Sequence, residues 1–380
     1  MLRVGIVGLG MMGKHHMDAI RRIPGTYICA VSDSDEKLAA SVGQEQEISG
    51  VYSDYREMFQ KEKLDSVHIC APNHLHYEIC KAAIEAGINI YCEKPLANTQ
   101  EEAKELYELA RQKGVTAAVN FNYRQNAIVR EMRERVRQGQ CGRMLVIRGN
   151  YLQDWMMYDS DFNWRCIPQY GGQSRTVADI GSHWFDTAQF VVGQRITRVF
   201  ADFINVHPYR KRYTRQVATF EKQEDGDFEE ISVPSEDGAH VMVEFENGVK
   251  GCVMLSQVAA GHKNGLELHI DGENCGLSWY QESADKLYIR ERERGTTEFL
   301  CAAGGLTGDA NRFTVLPAGH SVGWYDALKN GIHEYYAYLS GKTNEIHFAT
   351  FQEGWYIVRL VSACVESAAK NQWVTLEREV

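Results

Sequence analysis

Gly8-Leu9-Gly10-Met11-Met12-Gly13 stands between an apolar run, Leu2–Val7, and an amphipathic stretch, Met11–Arg22. No other part of the chain constrains the fold as tightly. The run reads as a strand and the stretch as a helix, so the glycines fall in the turn between them. The first permits a tight turn, the second lets backbone approach a pyrophosphate, and the third lets helix and strand pack closely. The helix start then offers free N–H groups and a positive dipole end to phosphate oxygens. Gly8, Gly10, Met11, Met12 and Gly13 are therefore the expected phosphate-contacting residues of a dinucleotide site.

The strand–helix alternation continues. Tyr27–Val31, Ser66–Cys70, Ile88–Cys92 and Thr116–Asn120 are nearly continuous apolar runs, as parallel strands covered on both faces are. Helical patterns at Glu36–Val42, Tyr55–Lys61, His74–Ala86 and Thr99–Lys113 lie between them. Residues 1–123 are thus predicted to form a Rossmann-type α/β domain with a doubly wound parallel sheet. Beyond it the pattern changes. One helix, Ala127–Gln138, leads into a strand, Arg143–Leu152. From residue 196 apolar and polar residues alternate. Val241, Val243 and Phe245 share one face, Asn247-Gly248 makes a hairpin turn, and Val249, Gly251 and Val253 return. Short strands are expected at 266–271, 275–280 and 286–291, and helices at about 324–340 and 350–370. Residues 124–380 therefore read as an α+β domain for substrate binding and oligomerisation. It has a large, mostly antiparallel open sheet with helices on one face, and the last helices pack back on the first domain. A basic segment, His207–Arg215, followed by an acidic one, Glu221–Asp237, reads as a solvated loop.

Charge and apolar content narrow the partners. With 41 basic and 51 acidic residues the chain carries a net charge of −10, which argues against nucleic acid and against an anionic membrane surface. No run of about 18 apolar residues occurs, so no transmembrane helix is expected. The apolar run Val4–Leu9 is too short and too glycine-rich for a signal peptide. Ten cysteines without a CxxC pair read as buried reduced thiols of a cytoplasmic protein.

Asp33 falls directly after the second strand, about 20 residues beyond the glycines, where a carboxylate bonds the adenosine ribose hydroxyls. It is equally placed to cap the following helix. No arginine stands beside it to hold a 2′-phosphate, so NAD is preferred to NADP. Pro72, Asn73 and His76 follow the strand Ser66–Cys70 and are candidates for cofactor contact, with Asn73 also suited to cap the next helix.

Chemistry is expected at two further places. Glu93-Lys94-Pro95 follows the strand Ile88–Cys92, and the proline keeps Lys94 extended and presented. A lysine there can donate to a substrate hydroxyl and stabilise its alkoxide. Asp179 and His183 stand four apart in Asp179-Ile180-Gly181-Ser182-His183, where Ser182 is suited to cap a helix running to about Val192. Histidine titrates in the range useful for accepting a hydroxyl proton, and a carboxylate nearby favours its charged form. A core histidine and a loop-capping aspartate remain open readings. No metal site is expected, because convincing third and fourth ligands are lacking.

The combination of GLGMMG, EKP and GGQ…DIGSHWFD resembles the Gfo/Idh/MocA family, over roughly residues 1 to 370. The resemblance implies that Lys94, Asp179 and His183 form the catalytic group: His183 as acid/base, Lys94 polarising the reacting hydroxyl, Asp179 orienting substrate. It also implies that Asn120, Asn122, Tyr123 and Arg124 line the crevice, that Glu93 lies against the cofactor, and that Trp164 and Arg165 reach cofactor and substrate. Asp154 opens an aromatic-rich stretch suited to stack on a sugar face or to pack as a loop, and His320 is a further candidate for the pocket. The activity implied is NAD-dependent oxidation of a secondary hydroxyl on a sugar, anhydrosugar or cyclitol, by a homodimer or homotetramer. An NAD-retaining glycosidase working through transient oxidation carries the same motifs. A non-enzymatic NAD(H) sensor is disfavoured by the intact lysine, aspartate and histidine.

Overall fold

Strands β1 (Leu2–Val7), β2 (Thr26–Ser32), β3 (Gly50–Tyr52), β4 (Ser66–Ile69), β5 (Asn89–Cys92) and β6 (Ala117–Val119) run parallel in the order β6-β5-β4-β1-β2-β3. The structure is a computed structural model that describes residues 1–214 and 226–377. Val4, Ile6, Val67, Ile69 and Ile90 are fully buried, which is why these strands read as unbroken apolar runs. Ala349–Thr350 adds an antiparallel edge strand beside β6. The chain order reverses between β1 and β4, so the carboxyl ends of these two strands flank a switch point, where doubly wound sheets bind ligands. β3 is too short to show a period and is absent from the sequence reading. The helix Gln100–Lys113 shows how firmly local sequence sets the ends. Thr99 and Glu102 form a capping box, and Gly114 closes the helix at φ +68°.

The chain divides into two units, Met1–Gln125 with Tyr325–Val358, and Asn126–Trp324 with the segment from Arg359 onwards. The second unit is built on β7 (Met144–Leu152), β8 (Ile196–Ile204), β9 (Tyr209–Tyr213), β10 (Phe228–Ser232), β11 (Gly238–Phe245), β12 (Lys250–Ser256), β13 (Gly265–Gly272), β14 (Gly276–Tyr280), β15 (Lys286–Glu291) and β16 (Gly295–Leu300). Its large sheet runs β16-β15-β14-β13-β7-β12-β11-β8, with Val374–Thr375 at the β8 edge. Among its pairings, β12 with β7 is parallel and the others are antiparallel. The Asn247-Gly248 turn joins β11 to β12, with Gly248 at φ +84°.

One row crosses six strands of this sheet: Val241, Val253, Gly149, Leu268, Trp279 and Leu287. The helix Ser182–Val192 lands on this row at Gly149. A Cβ there would come within 2.3 Å of the Trp184 indole nitrogen, which donates to the Glu267 carbonyl at 3.1 Å. Trp184 and Phe185 are fully buried. The opposite face of the sheet exposes Met242, Cys252 and Met254. No helix among the described residues is long and apolar enough to cross a membrane.

The segment expected as a solvated loop is instead a β-hairpin of β9 and β10. Arg215 and Glu221–Asp225 lie outside the described residues. The base of the hairpin is buried: Arg210 is completely covered. Its guanidinium donates to the carbonyls of Met156, Tyr158 and Asp161 and to Asp237 at 2.5 Å. Asp237 also pairs with the buried Arg175 and accepts the amides of Val206 and His207, each at 2.8 Å. Net charge read from sequence hides this pairing, because the charges that hold the hairpin are neutralised inside the fold.

Removing one partner of a buried ion pair strands the others. Asp237→Asn should therefore destabilise the protein by about 3–5 kcal/mol, read as a lowered midpoint in chemical denaturation.

Candidate functional site

The glycine loop has the geometry its spacing implied. Gly8 lies at φ +88°, and a Cβ on it would come within 2.6 Å of the Ala71 amide nitrogen. A Cβ on Gly13 would meet the Gly8 carbonyl oxygen at 2.1 Å. At Gly10 nothing lies within 4 Å, so open space faces the start of the helix Met11–Arg21. That helix carries no side-chain cap, so its first amides remain available for an anion. Met11 is exposed and Met12 partly so. These features fit a dinucleotide pyrophosphate.

Asp33 ties the loop down. Its Oδ2 accepts the Leu9 amide at 2.8 Å and its Oδ1 that of Asp35 at 3.0 Å. The helix cap belongs to Asp35, which accepts the amides of Lys37 and Leu38. Asp33 is thereby left at the strand end facing the glycine turn. Pro72 and Asn73 open a short turn, and the helix after it, His76–Glu85, has no side-chain cap. The capping role considered for Asn73 is not seen.

His76 corrects the sequence reading. It is fully buried, with Nδ1 at 2.7 Å from the Pro95 carbonyl and Nε2 at 2.8 Å from the Ala71 carbonyl. Carbonyls only accept, so both nitrogens must carry protons. Burial opposes that charge, but Cys92 and the two carbonyls outweigh it and push the group up to about 9. His76 straps two loops together rather than contacting a cofactor.

Glu93 is the centre of a buried polar chain. Its Oε1 accepts from His16 Nε2 at 3.0 Å and from the Asn120 amide at 2.6 Å, and its Oε2 from the Lys94 backbone N–H at 3.2 Å. His16 Nδ1 shares a proton with His68 Nδ1 at 2.8 Å, and His68 Nε2 meets the Tyr336 hydroxyl at 2.9 Å. His68 is stacked between Tyr91 and Tyr336. Burial, helped by His16, holds its pKa well below the ordinary value, so it is neutral. A neutral His68 that donates from Nδ1 and accepts from Tyr336 aligns every donor toward Glu93. Burial would raise the Glu93 carboxyl, yet His16, Asn120 and Lys94 hold it down at about 2. Lys94 is half-buried, and its bond to Pro95 is cis.

In the second unit, Val177–Gly181 forms a π-helical turn that runs straight into Ser182–Val192. Ser182 is therefore inside a continuous helical segment and not its cap. Such π-turns gather at functional sites. Asp179 and His183 lie four apart along the segment, on one side of it. Asp179 Oδ2 accepts from Gln257 Nε2 at 2.8 Å, and its Oδ1 lies 3.6 Å from Arg165 Nε. Gln257 is fully buried and accepts from Thr176 Oγ1 at 3.3 Å. Arg165 stacks over Trp164 at 4.3 Å. His183 is 8% exposed, its ring 6.4 Å from that of Tyr151.

The structure thus gathers Trp164, Arg165, Asp179 and His183 on one unit, and the glycine loop, Asp33, Glu93 and Lys94 on the other. Asn122 and Tyr123 are buried. Three candidates for substrate contact have other surroundings. Arg124 pairs with Glu353 at 2.7 Å, Asp154 pairs with Lys263 at 2.7 Å and accepts the Gly261 amide, and His320 is exposed on a loop. Sequence reasoning missed His16, His68, Tyr336 and Gln257. The signal for His68 was a histidine inside the apolar run Ser66–Cys70, since a buried polar group needs a partner.

Glu93 has a depressed pKa, so its contribution to stability is present above the unfolded value and lost as the pH falls through the folded one. The wild-type advantage over Glu93→Gln should be about 3 kcal/mol above roughly pH 4.3. It should shrink as the pH falls towards 2, as read by denaturation at a series of pH values.

Comparison with known proteins identifies the family. Residues 2–121 match the oxidoreductase family with an NAD-binding Rossmann fold, and residues 129–278 match the GFO/IDH/MocA C-terminal domain. Levoglucosan dehydrogenase of Pseudarthrobacter phenanthrenivorans is 30% identical over 98% of this chain and 97% of its own. D-glucoside 3-dehydrogenase of Escherichia coli is 29% identical over 65% of this chain and 68% of its own. A solved structure of levoglucosan dehydrogenase with NADH and L-sorbose superposes with a TM-score of 0.88 at 28% identity, covering 100% of this chain and 99% of that one. With its glycine turn, its EKP loop and its DIGSH helix in these surroundings, the chain belongs to the Gfo/Idh/MocA family of NAD-dependent oxidoreductases.

Proposed function

We propose that the protein oxidises one secondary hydroxyl of a pyranose, anhydrosugar or cyclitol to a ketone. The observation that carries this is the Asp179–His183 pair on one helical turn, its aspartate held from both sides by Gln257 and Arg165. Full-length similarity to a levoglucosan dehydrogenase supports the substrate class. Bound NAD supplies the hydride acceptor, held by the Gly8–Gly13 turn and Asp33. Lys94 donates a hydrogen bond to the reacting hydroxyl oxygen. His183 takes the hydroxyl proton as the carbon gives up its hydride, so each turnover yields one ketone, one NADH and one proton. Asp179 orients the substrate. Gln257, bonded at both ends, keeps the Asp179 carboxylate from rotating.

The ten cysteines are all free, and eight of them are buried, which suits a reducing, cytoplasmic setting. The uncovered face carrying Met242 and Met254 suits a self-associating homo-oligomer. Met242→Asp should lower the mass measured by light scattering.

His183→Ala should lower kcat by about 10²–10⁴-fold while leaving NAD affinity, measured by fluorescence titration, within a few-fold. Full retention of kcat would overturn the assignment. A panel of sugars and inositols, followed at the reduced-nicotinamide absorbance, should give one NADH per turnover. Release of an aglycone with no net NADH would point to the glycosidase instead.

A further inference from the structure

The acidic segment before β11 ends on two buried carboxylates, Glu236 and Asp237. Asp237 is held by Arg175 and Arg210. Glu236 is 2% exposed, and its side chain meets the start of the helical segment that carries Asp179 and His183. Its Oε1 accepts the Ser174 hydroxyl at 2.7 Å and the Val177 amide at 2.8 Å, and its Oε2 accepts the Arg175 amide at 3.3 Å. All three donors are neutral. The Arg175 guanidinium turns to Asp237 and to the Glu236 carbonyl instead.

We propose that Glu236 is a positioning residue for the reaction: it caps the π-helical turn Val177–Gly181 from outside, and so sets how Asp179 and His183 are presented. The inference rests on the reading of those two residues as the reacting pair of a sugar dehydrogenase. Glu236 acts through the turn and not on the substrate.

A helix leaves its first amides without partners, and Thr176, at the start of this one, supplies no side-chain cap. Glu236 fills that role from 59 positions away. Burial pushes its carboxyl above the ordinary glutamate value, while the Val177 amide and the Ser174 hydroxyl act against that rise. A buried carboxylate held by neutral donors alone is costly. The start of a helix is where such a charge is best tolerated.

Two strand ends embrace the turn. β11 and β12 pair with Gly238 opposite Ser256, and the Gln257 amide donates to the Asp237 carbonyl at 2.9 Å. Gln257 thus holds the Asp179 carboxylate from one strand end, while Glu236 holds the leading amides from the other. The Thr176 hydroxyl lies between them, 2.8 Å from the Glu236 carbonyl and 3.3 Å from Gln257 Oε1. Ser174 Oγ, bonded to Glu236, accepts the Ala178 amide at 3.1 Å. From Ser174 to Asp179 every residue is therefore tied, directly or through one neighbour, to Glu236 or Gln257. Such fixing bears on rate, because a displacement of about 1 Å in a reacting group can cost on the order of 10²-fold.

The test uses NAD-loaded enzyme and a sugar that the wild type oxidises, with kcat counted per folded molecule below the melting temperature of every variant. Glu236→Ala should lower kcat roughly 10- to 100-fold and leave NAD affinity unchanged. Glu236→Gln, whose amide oxygen can take over the two Oε1 bonds, should restore most of the loss. Combining Glu236→Ala with Gln257→Ala should cost little more than the worse single variant, since both act on one turn. If Glu236→Ala does not fold, Ser174→Ala removes one donor from the same cap and should still lower kcat. Wild-type kcat in the variant that removes the cap, a glutamine variant as slow as the alanine one, or losses that multiply would each overturn the positioning role. Hydrogen exchange reads the cap without turnover: the amides at 175–179 should exchange faster in Glu236→Ala, or in Ser174→Ala if that variant stands in for it, and unchanged exchange there would overturn it. Faster exchange together with full kcat in His183→Ala would overturn the reacting-pair reading and leave the cap standing.

Discussion

A carboxylate taken out of water persists only when donors occupy its oxygens, and two such groups organise this protein. Glu93 collects His16, Asn120 and the Lys94 amide. Asp237 collects Arg175, Arg210 and two backbone amides. Each sits next to proposed chemistry. Glu93 precedes Lys94 in sequence and fixes its backbone. Asp237 gathers the arginine whose carbonyl receives the Asp179 amide at 2.8 Å and the arginine that holds the hairpin. The reactive groups thus stand on main chain that is pinned by buried charge and not merely packed by apolar contact.

Much of the fold was legible because its signals are local. The glycine turn, the capping box at Thr99 and the Asn247-Gly248 hairpin each need few residues in fixed order. The parallel strands announced themselves through continuous apolar runs. The catalytic candidates were legible by resemblance, and Asp179 and His183 do share one helical turn. What stayed hidden depends on contacts distant in sequence. Gln257 stands 78 positions from Asp179, and Tyr336 stands 268 from His68. No spacing rule reaches that far. His76 was misread for a related reason: a histidine after a strand looks equally apt for ligand and for scaffold until both of its ring nitrogens are seen on carbonyls. The charged hairpin was misread because a run of basic residues gives no sign that one of them is buried.

The placement of the proposed acid/base depends on an absence of side chain. Trp184 occupies the space where residue 149 would carry a Cβ, and a Cβ on Gly181 would come within 2.7 Å of Leu255. Two glycines therefore let the helix approach the sheet closely enough for the indole to reach the Glu267 carbonyl. His183 lies between Gly181 and Trp184 in sequence, so its height above the sheet is set by that approach.

The shared anchor at Arg210 has an evolutionary consequence. Its bonds run to main-chain carbonyls and to Asp237, none of which depends on the residue types at the hairpin's outer positions. Tyr213, Phe228 and Glu229 are therefore open to replacement without disturbing the framework that carries Asp179. A lineage built on this scaffold has room to vary the outer residues of the hairpin, while the buried anchor beneath it passes unchanged from one descendant to the next.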